Sequence, residues 1–162
     1  MIQRIQSLLL LSASIACFIL IFMKFTVDIK NQDGETINHI EYSLVQYNIQ
    51  TLNPEEEQSA MPVLPFVFAA LISLISLFTI FLYKKRPMQV IFARFLILLS
   101  AGFIIALIFS LDQFGGLKEF VNASPINYLL IILPSLAIIF FFLAIKGINK
   151  DERLVREADR IR

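Results

Sequence analysis

Few residues in this chain could ligate a metal, move a proton or attack a carbon: one cysteine, Cys17, one histidine, His39, and thirteen carboxylates. A lone cysteine excludes an internal disulfide framework, and Cys17 with His39 supplies only half of the usual four-ligand zinc set. The densest acidic run, Glu55-Glu56-Glu57 behind Asn53-Pro54, invites a divalent cation. A calcium loop spaces its acids around a turn, however, whereas Asn at an N-cap, Pro at the first helical position and carboxylates in the first turn together predict a helix start. Pro62 and Pro65 are expected to interrupt or bend that helix. Coupled transport or proton relay needs an ionisable residue at mid-membrane. Only Arg94 comes near one, and it lies roughly 10 Å from the basic turn Lys84-Lys85-Arg86 at 1.5 Å per residue. It is expected to snorkel to the headgroups or pair with acids of the C-terminal tail, with contact to a lipid phosphate or a partner subunit as its functional reading. No catalytic, cofactor-binding or metal site is expected, and the chain is not read as an enzyme. A quinone-coupled thiol oxidant would need cysteine pairs, and a small multidrug exporter a membrane-embedded carboxylate. A claudin-like protein would carry a Trp and two Cys in its first outer loop, whereas this chain has no Trp.

The elements that must hold these residues are dictated by bulk composition. Of 162 residues, 57% are hydrophobic, 17% are charged and sixteen are Phe. A compact domain of this length buries only about 70% of its extended-chain surface, so in water such a chain would expose large apolar patches. Its solvent is lipid. Uncharged apolar runs cover Ile5 to Met23, Met61 to Tyr83, Phe95 to Leu111 (completed by Met88 to Arg94) and Ile126 to Ile145. Each is long enough to cross a hydrocarbon layer of about 30 Å at 1.5 Å per residue. Ser14-Ile15-Ala16-Cys17 superficially resembles a lipoprotein cleavage box, but the chain stays apolar through Met23, so the first run is read as a span. The expected fold is an all-α membrane protein, an antiparallel bundle of four transmembrane helices.

Basic residues set the threading. Eleven (Arg4, Lys84, Lys85, Arg86, Arg94, Lys146, Lys150, Arg153, Arg156, Arg160, Arg162) fall on one side of the spans and three (Lys24, Lys30, Lys118) on the other. The rule that cations stay inside then predicts two cytoplasmic termini. The outer segment 24–60 is expected to fold as a small β-hairpin: Phe25, Val27 and Ile29 alternate, Asn31 to Gly34 turn, and Ile40, Tyr42 and Leu44 alternate again. A parity shift at Val45, Tyr47 and Ile49 suggests a bulge near Leu44. The second outer loop, from Asp112 to Pro125, contains a Gly115-Gly116 turn and an uninformative sequon at Asn122. The tail 146–162 is expected to be a cytoplasmic amphipathic helix with Leu154, Val155, Ala158 and Ile161 on one face and a Glu152–Arg156 pair. It would rest on the inner headgroups or dock on a partner through Leu154, Val155, Arg156 and Arg160. In the third span Gly102, Ala106 and Ser110 recur every four residues. That packing seam is expected to meet another span of the same chain, with a second subunit as the alternative. Ser12, Ser14, Ser73, Ser76 and Ser135 are candidates for bonds across helices, and Pro134 for a kink in the fourth span.

Met1-Ile2-Gln3-Arg4-Ile5-Gln6, Ala93-Arg94-Phe95-Leu96 in the third span, and the tail with Lys150-Asp151-Glu152, Leu154-Val155-Arg156 and Asp159-Arg160-Ile161-Arg162 carry a likeness across essentially the whole chain. It resembles the four-span Bacteroidota inner-membrane proteins grouped as a domain of unknown function, family 4293. The resemblance implies a bacterial inner membrane and four helices, and it supplies no activity. From the residues, the expected partners are the lipid bilayer and either a second membrane protein or further copies of this chain; no nucleic-acid partner and no cofactor is expected. The function this favours is an accessory subunit or assembly factor of a larger membrane complex. The alternative is a homo-oligomeric pore or lipid-handling protein working through Arg94 and the third-span seam.

Overall fold

A computed structural model describes residues 2–30, 36–51, 58–60, 62–112 and 124–160. Helix α1 (Ile2–Phe22) leads into four strands, β1 (Lys24–Lys30), β2 (Thr36–Ser43), β3 (Tyr47–Thr51) and β4 (Gln58–Ala60). Helix α2 (Val63–Phe81), a short 3-10 turn (Leu82–Lys84) and α3 (Arg86–Asp112) follow. A second 3-10 turn (Pro125–Tyr128) opens α4 (Leu129–Arg160). All four α-helices are long and apolar enough to cross a membrane, which makes this a multi-pass membrane protein. Helix α1 packs on α2 and α4, and α3 packs on the same two, closing an antiparallel four-helix bundle. The strands sit together at one end of the bundle and the basic turn Lys84-Lys85-Arg86 at the other; these are called the sheet end and the basic end.

Small residues alternate with a few large ones inside the bundle, while many large apolar side chains face outward, the reverse of a water-soluble protein. Leu10, Ala13, Cys17 and Leu20 form one buried stripe of α1, facing Ala69, Ile72, Ser73 and Ser76 of α2 and Ala137, Phe141 and Ala144 of α4. Phe81 is 76% exposed, Phe109 72% and Leu98 69%. Small residues let backbones approach where lipid gives no hydrophobic drive for helices to associate, and bulky ones face the acyl chains. Two serine hydroxyls bond from α1 to α2 or back: Ser14 Oγ donates to the Ser73 carbonyl (3.0 Å) and Ser76 Oγ to the Leu10 carbonyl (2.8 Å). The hydroxyls of Ser12, Ser73 and Ser135 do not cross as expected; they bond carbonyls of their own helices at Leu9, Ala69 and Ile131.

The sheet extends the expected hairpin. Its order is β1-β2-β3-β4, all antiparallel, with Phe25 opposite Tyr42, Ile40 opposite Ile49 and Tyr47 opposite Ala60. The parity shift near Leu44 is a second hairpin turn rather than a bulge. Ser43 N–H donates to the Gln46 carbonyl (3.0 Å), Ser43 Oγ to the same oxygen (2.6 Å), and Gln46 N–H to Ser43 Oγ (3.0 Å). The register irregularity falls instead between Ile29 and Lys30. Phe25, Tyr42 and Leu44 are fully buried in the same cluster as Leu107, Leu111 and Leu130, so the sheet caps the helix ends. Open sheet edges cannot lie in hydrocarbon, which puts this layer outside the bilayer.

Two boundaries differ from expectation. Asn53 to Glu57 lie outside the described residues, but Gln58–Ala60 is extended and paired with β3, and α2 begins only at Val63 behind Pro62. A helix starting at Asn53 therefore does not run into the second span; strand pairing takes the backbone bonds at 58–60. Pro65 falls in the first turn of α2, where N–H groups have no helical partner to lose. The tail is helical to Arg160 as expected, yet it is no separate element: α4 is one helix of 32 residues, about 48 Å long, and neither Pro134 nor Gly147 ends it. The turns at Asn31 to Gly34 and Gly115-Gly116 and the sequon at Asn122 lie outside the described residues.

Candidate functional site

The chemistry of the basic end is built from three polar layers. Nearest the bundle axis, Gln6 of α1 and Asp151 of α4 are 5% and 8% exposed, and Gln6 Nε2 donates to Asp151 Oδ2 at 2.7 Å. One turn back along α4, Gly147 makes room for that bond, since a Cβ there would stand 3.0 Å from Gln6 Cγ. On the opposite helix pair, buried Gln89 Nε2 donates to the Thr79 carbonyl (3.3 Å), which also accepts the Leu82 N–H as α2 ends. The two bonds tie α1 to α4 and α2 to α3 at this end. Gln6, Gln89, Gly147 and Asp151 were not legible as a set in the sequence; Gln6 and Asp151 are separated by 145 positions.

Around this layer stand the cations singled out by the sequence. Val90 and Ala93 of α3 pack with Ile145 and Ile148 of α4, so Arg94 lies at the depth of Lys146, the first charge after the fourth apolar run. Arg94 is exposed on the bundle surface, and the tail acid Asp151 is engaged by Gln6 instead. Lys146 Nζ sits 4.8 Å from the centre of the Phe142 ring, the position of an ammonium reaching back over an aromatic at the membrane boundary. Lys85 is exposed and Arg86 half-buried where the α2–α3 turn begins α3, and Lys84 closes the 3-10 turn.

Beyond that plane α4 continues, and a groove of about 500 Å³ runs along it between Lys146, Lys150, Arg153, Leu154 and Glu157. Leu154 and Val155 are 47% and 45% exposed. Arg156 and Arg160 occupy the last turns of the same helix.

The third-span seam points to the sheet end. A Cβ at Gly102 would stand 3.2 Å from the Phe68 ring of α2, Ala106 is buried, and Ser110 Oγ lies 3.3 Å from the hydroxyl of Tyr42 in β2. Gly102 thus meets α2 and Ser110 the sheet of this same chain, with Ala106 buried between them. Burial pushes the Tyr42 phenol up to about 12, with the Ser110 bond working slightly against it, so Tyr42 stays protonated and is no acid–base group near neutrality. Asn127 Nδ2 donates to the Thr26 carbonyl (3.0 Å), tying the turn before α4 to β1. The exposed Lys24–Glu41 pair, 4.0 Å apart, adds little. Among the described residues no three His, Cys, Asp or Glu gather as a metal site would require.

No curated protein matches this chain, and no solved structure does. A sequence model of one family, described as a domain of unknown function (DUF4293), matches residues 2–161. The match takes in all four spanning helices, the sheet and the extension of α4, and the chain belongs to the DUF4293 family.

Proposed function

We propose that this protein is a non-enzymatic accessory subunit or assembly factor of a larger complex in a bacterial inner membrane, with both termini cytoplasmic. Its docking surface is the end of α4. The observation that carries this reading is the exposure of Leu154 and Val155 on a helix that runs on past Lys146. A helix of about 48 Å exceeds the roughly 30 Å hydrocarbon layer, so the two apolar side chains stand in water, with Lys150 and Arg153 beside Leu154. Aliphatic anchors flanked mainly by cations suit a groove with an acidic rim on a second protein. The orientation rests on the unequal distribution of basic residues, eleven against three.

A tagged full-length copy extracted in gentle detergent should bring down a second protein in fixed ratio. Leu154→Asp with Val155→Asp should release that partner while thermal unfolding of the bundle is unchanged. A monomer that copurifies with nothing overturns the reading.

A further inference from the structure

A recess of about 370 Å³ opens between α1 and α2 toward the basic end, lined by Ser7, Leu8, Leu11, Leu77, Ile80 and Phe81. Its place follows from contacts on either side of it. Nearer the middle of the bundle, the Ser14 and Ser76 bonds hold α1 on α2. At its first turns, α1 is held to α4 instead, through Gln6, Asp151 and the space left by Gly147. The Ser76 bond to Leu10 closes the seam behind the recess, which lies on its outer face among the exposed side chains of Leu8, Leu11, Leu77 and Phe81.

Apart from Ser7 the lining is aliphatic and aromatic, and it spans about one helical turn on each side. That length suits a hydrocarbon chain and is too small for a helix about 10 Å across. The recess ends at Phe81, about one turn before Lys85, which is exposed, and Arg86, which is half-buried. An apolar slot with cations at its mouth, at the depth where headgroups begin, is complementary to an anionic lipid.

We propose that this recess binds one anionic phospholipid, its acyl chain against Leu8, Leu11 and Leu77 and its phosphate at Lys85 and Arg86. The site is separate from the docking surface on α4, so either assignment can fail alone.

The test uses full-length protein purified in detergent, stripped of copurifying lipid and titrated with dioleoyl phosphatidylglycerol or dioleoyl phosphatidylcholine, with bound lipid counted by native mass spectrometry. Phosphatidylglycerol should be held roughly tenfold or more tightly. Lys85→Gln with Arg86→Gln should remove that preference, and Leu8→Trp, filling the recess from its exposed rim, should abolish retention of both lipids. Leu98→Trp, at a comparably exposed position on α3, should change nothing, and the unfolding temperature of each variant verifies that it is folded. Equal retention of the two lipids by the unaltered protein overturns the proposal, as does unchanged retention in Leu8→Trp. Loss of a copurifying protein in Leu8→Trp with lipid retention unaffected would assign the recess to a protein partner and overturn it likewise.

Discussion

Gln6 and Asp151 show how a polar pair can be used at a membrane boundary without chemistry. The amide donates at 2.7 Å to a carboxylate that is 8% exposed, so the acid has a partner and the first helix is fixed to the last. Gln6→Leu would leave that carboxylate buried without its donor, and should cost about 1–3 kcal/mol in a reversible unfolding assay in mixed micelles. Gly147→Val should be at least as damaging, because its branched side chain must occupy the place of Gln6 Cγ, 3.0 Å from the Cβ position. At the other end, Tyr42 gives a pH prediction with a definite sign. Its folded-state value, raised to about 12 from the usual 10, favours the protonated phenol in the folded protein. That stabilisation is complete below about pH 10 and is lost as pH rises from there through 12. In an ultraviolet titration Tyr42 should resist ionisation until unfolding exposes it, and Tyr42→Phe should remove that late step.

Elements were legible in proportion to how local their causes are. Four uncharged runs announce four helices because a bilayer demands length and apolarity and little else. Period-two alternation around Phe25 and Tyr42 likewise reveals the first hairpin. The Leu44-Val45 turn was hidden because it contains no Gly, Pro, Asn or Asp, the residues that usually mark one; burial of Leu44 against the helix ends decides it. Strand β4 was hidden because Gln58-Ser59-Ala60 has no strand propensity of its own and is extended by pairing with β3. The onset of charge at Lys146 ends only the membrane-embedded part of α4, not the helix, so the span and the amphipathic tail are one element. The candidate site was less legible still: its cations could be named from the sequence, but the Gln6–Asp151 contact depends on tertiary placement. The α1–α2 contact gives a test at this scale. Replacing both Ser14 and Ser76 by Ala should destabilise the bundle by about 0.6 kcal/mol per lost interhelical bond, measured by the same unfolding assay.

The whole molecule is asymmetric along its axis, with a sheet capping one end and a helical extension leaving the other. If the threading follows the cations, a reporter fused after Arg162 should be active only as a cytoplasmic enzyme, and one inserted within residues 31–35 only as an exported one. α4 stays one helix from the span into its extension, with no break after Pro134, which gives the extension a definite azimuth: Leu154 and Val155 inherit their compass bearing from the span beneath them. One alanine added after Glu152 would leave the Gln6–Asp151 bond in place and swing those two side chains by about 100°. Four added alanines would bring them back to within about 40° of the original heading, some 6 Å farther out. Assembly that fails with one added residue and partly recovers with four would identify α4 as a shaft rather than a tether.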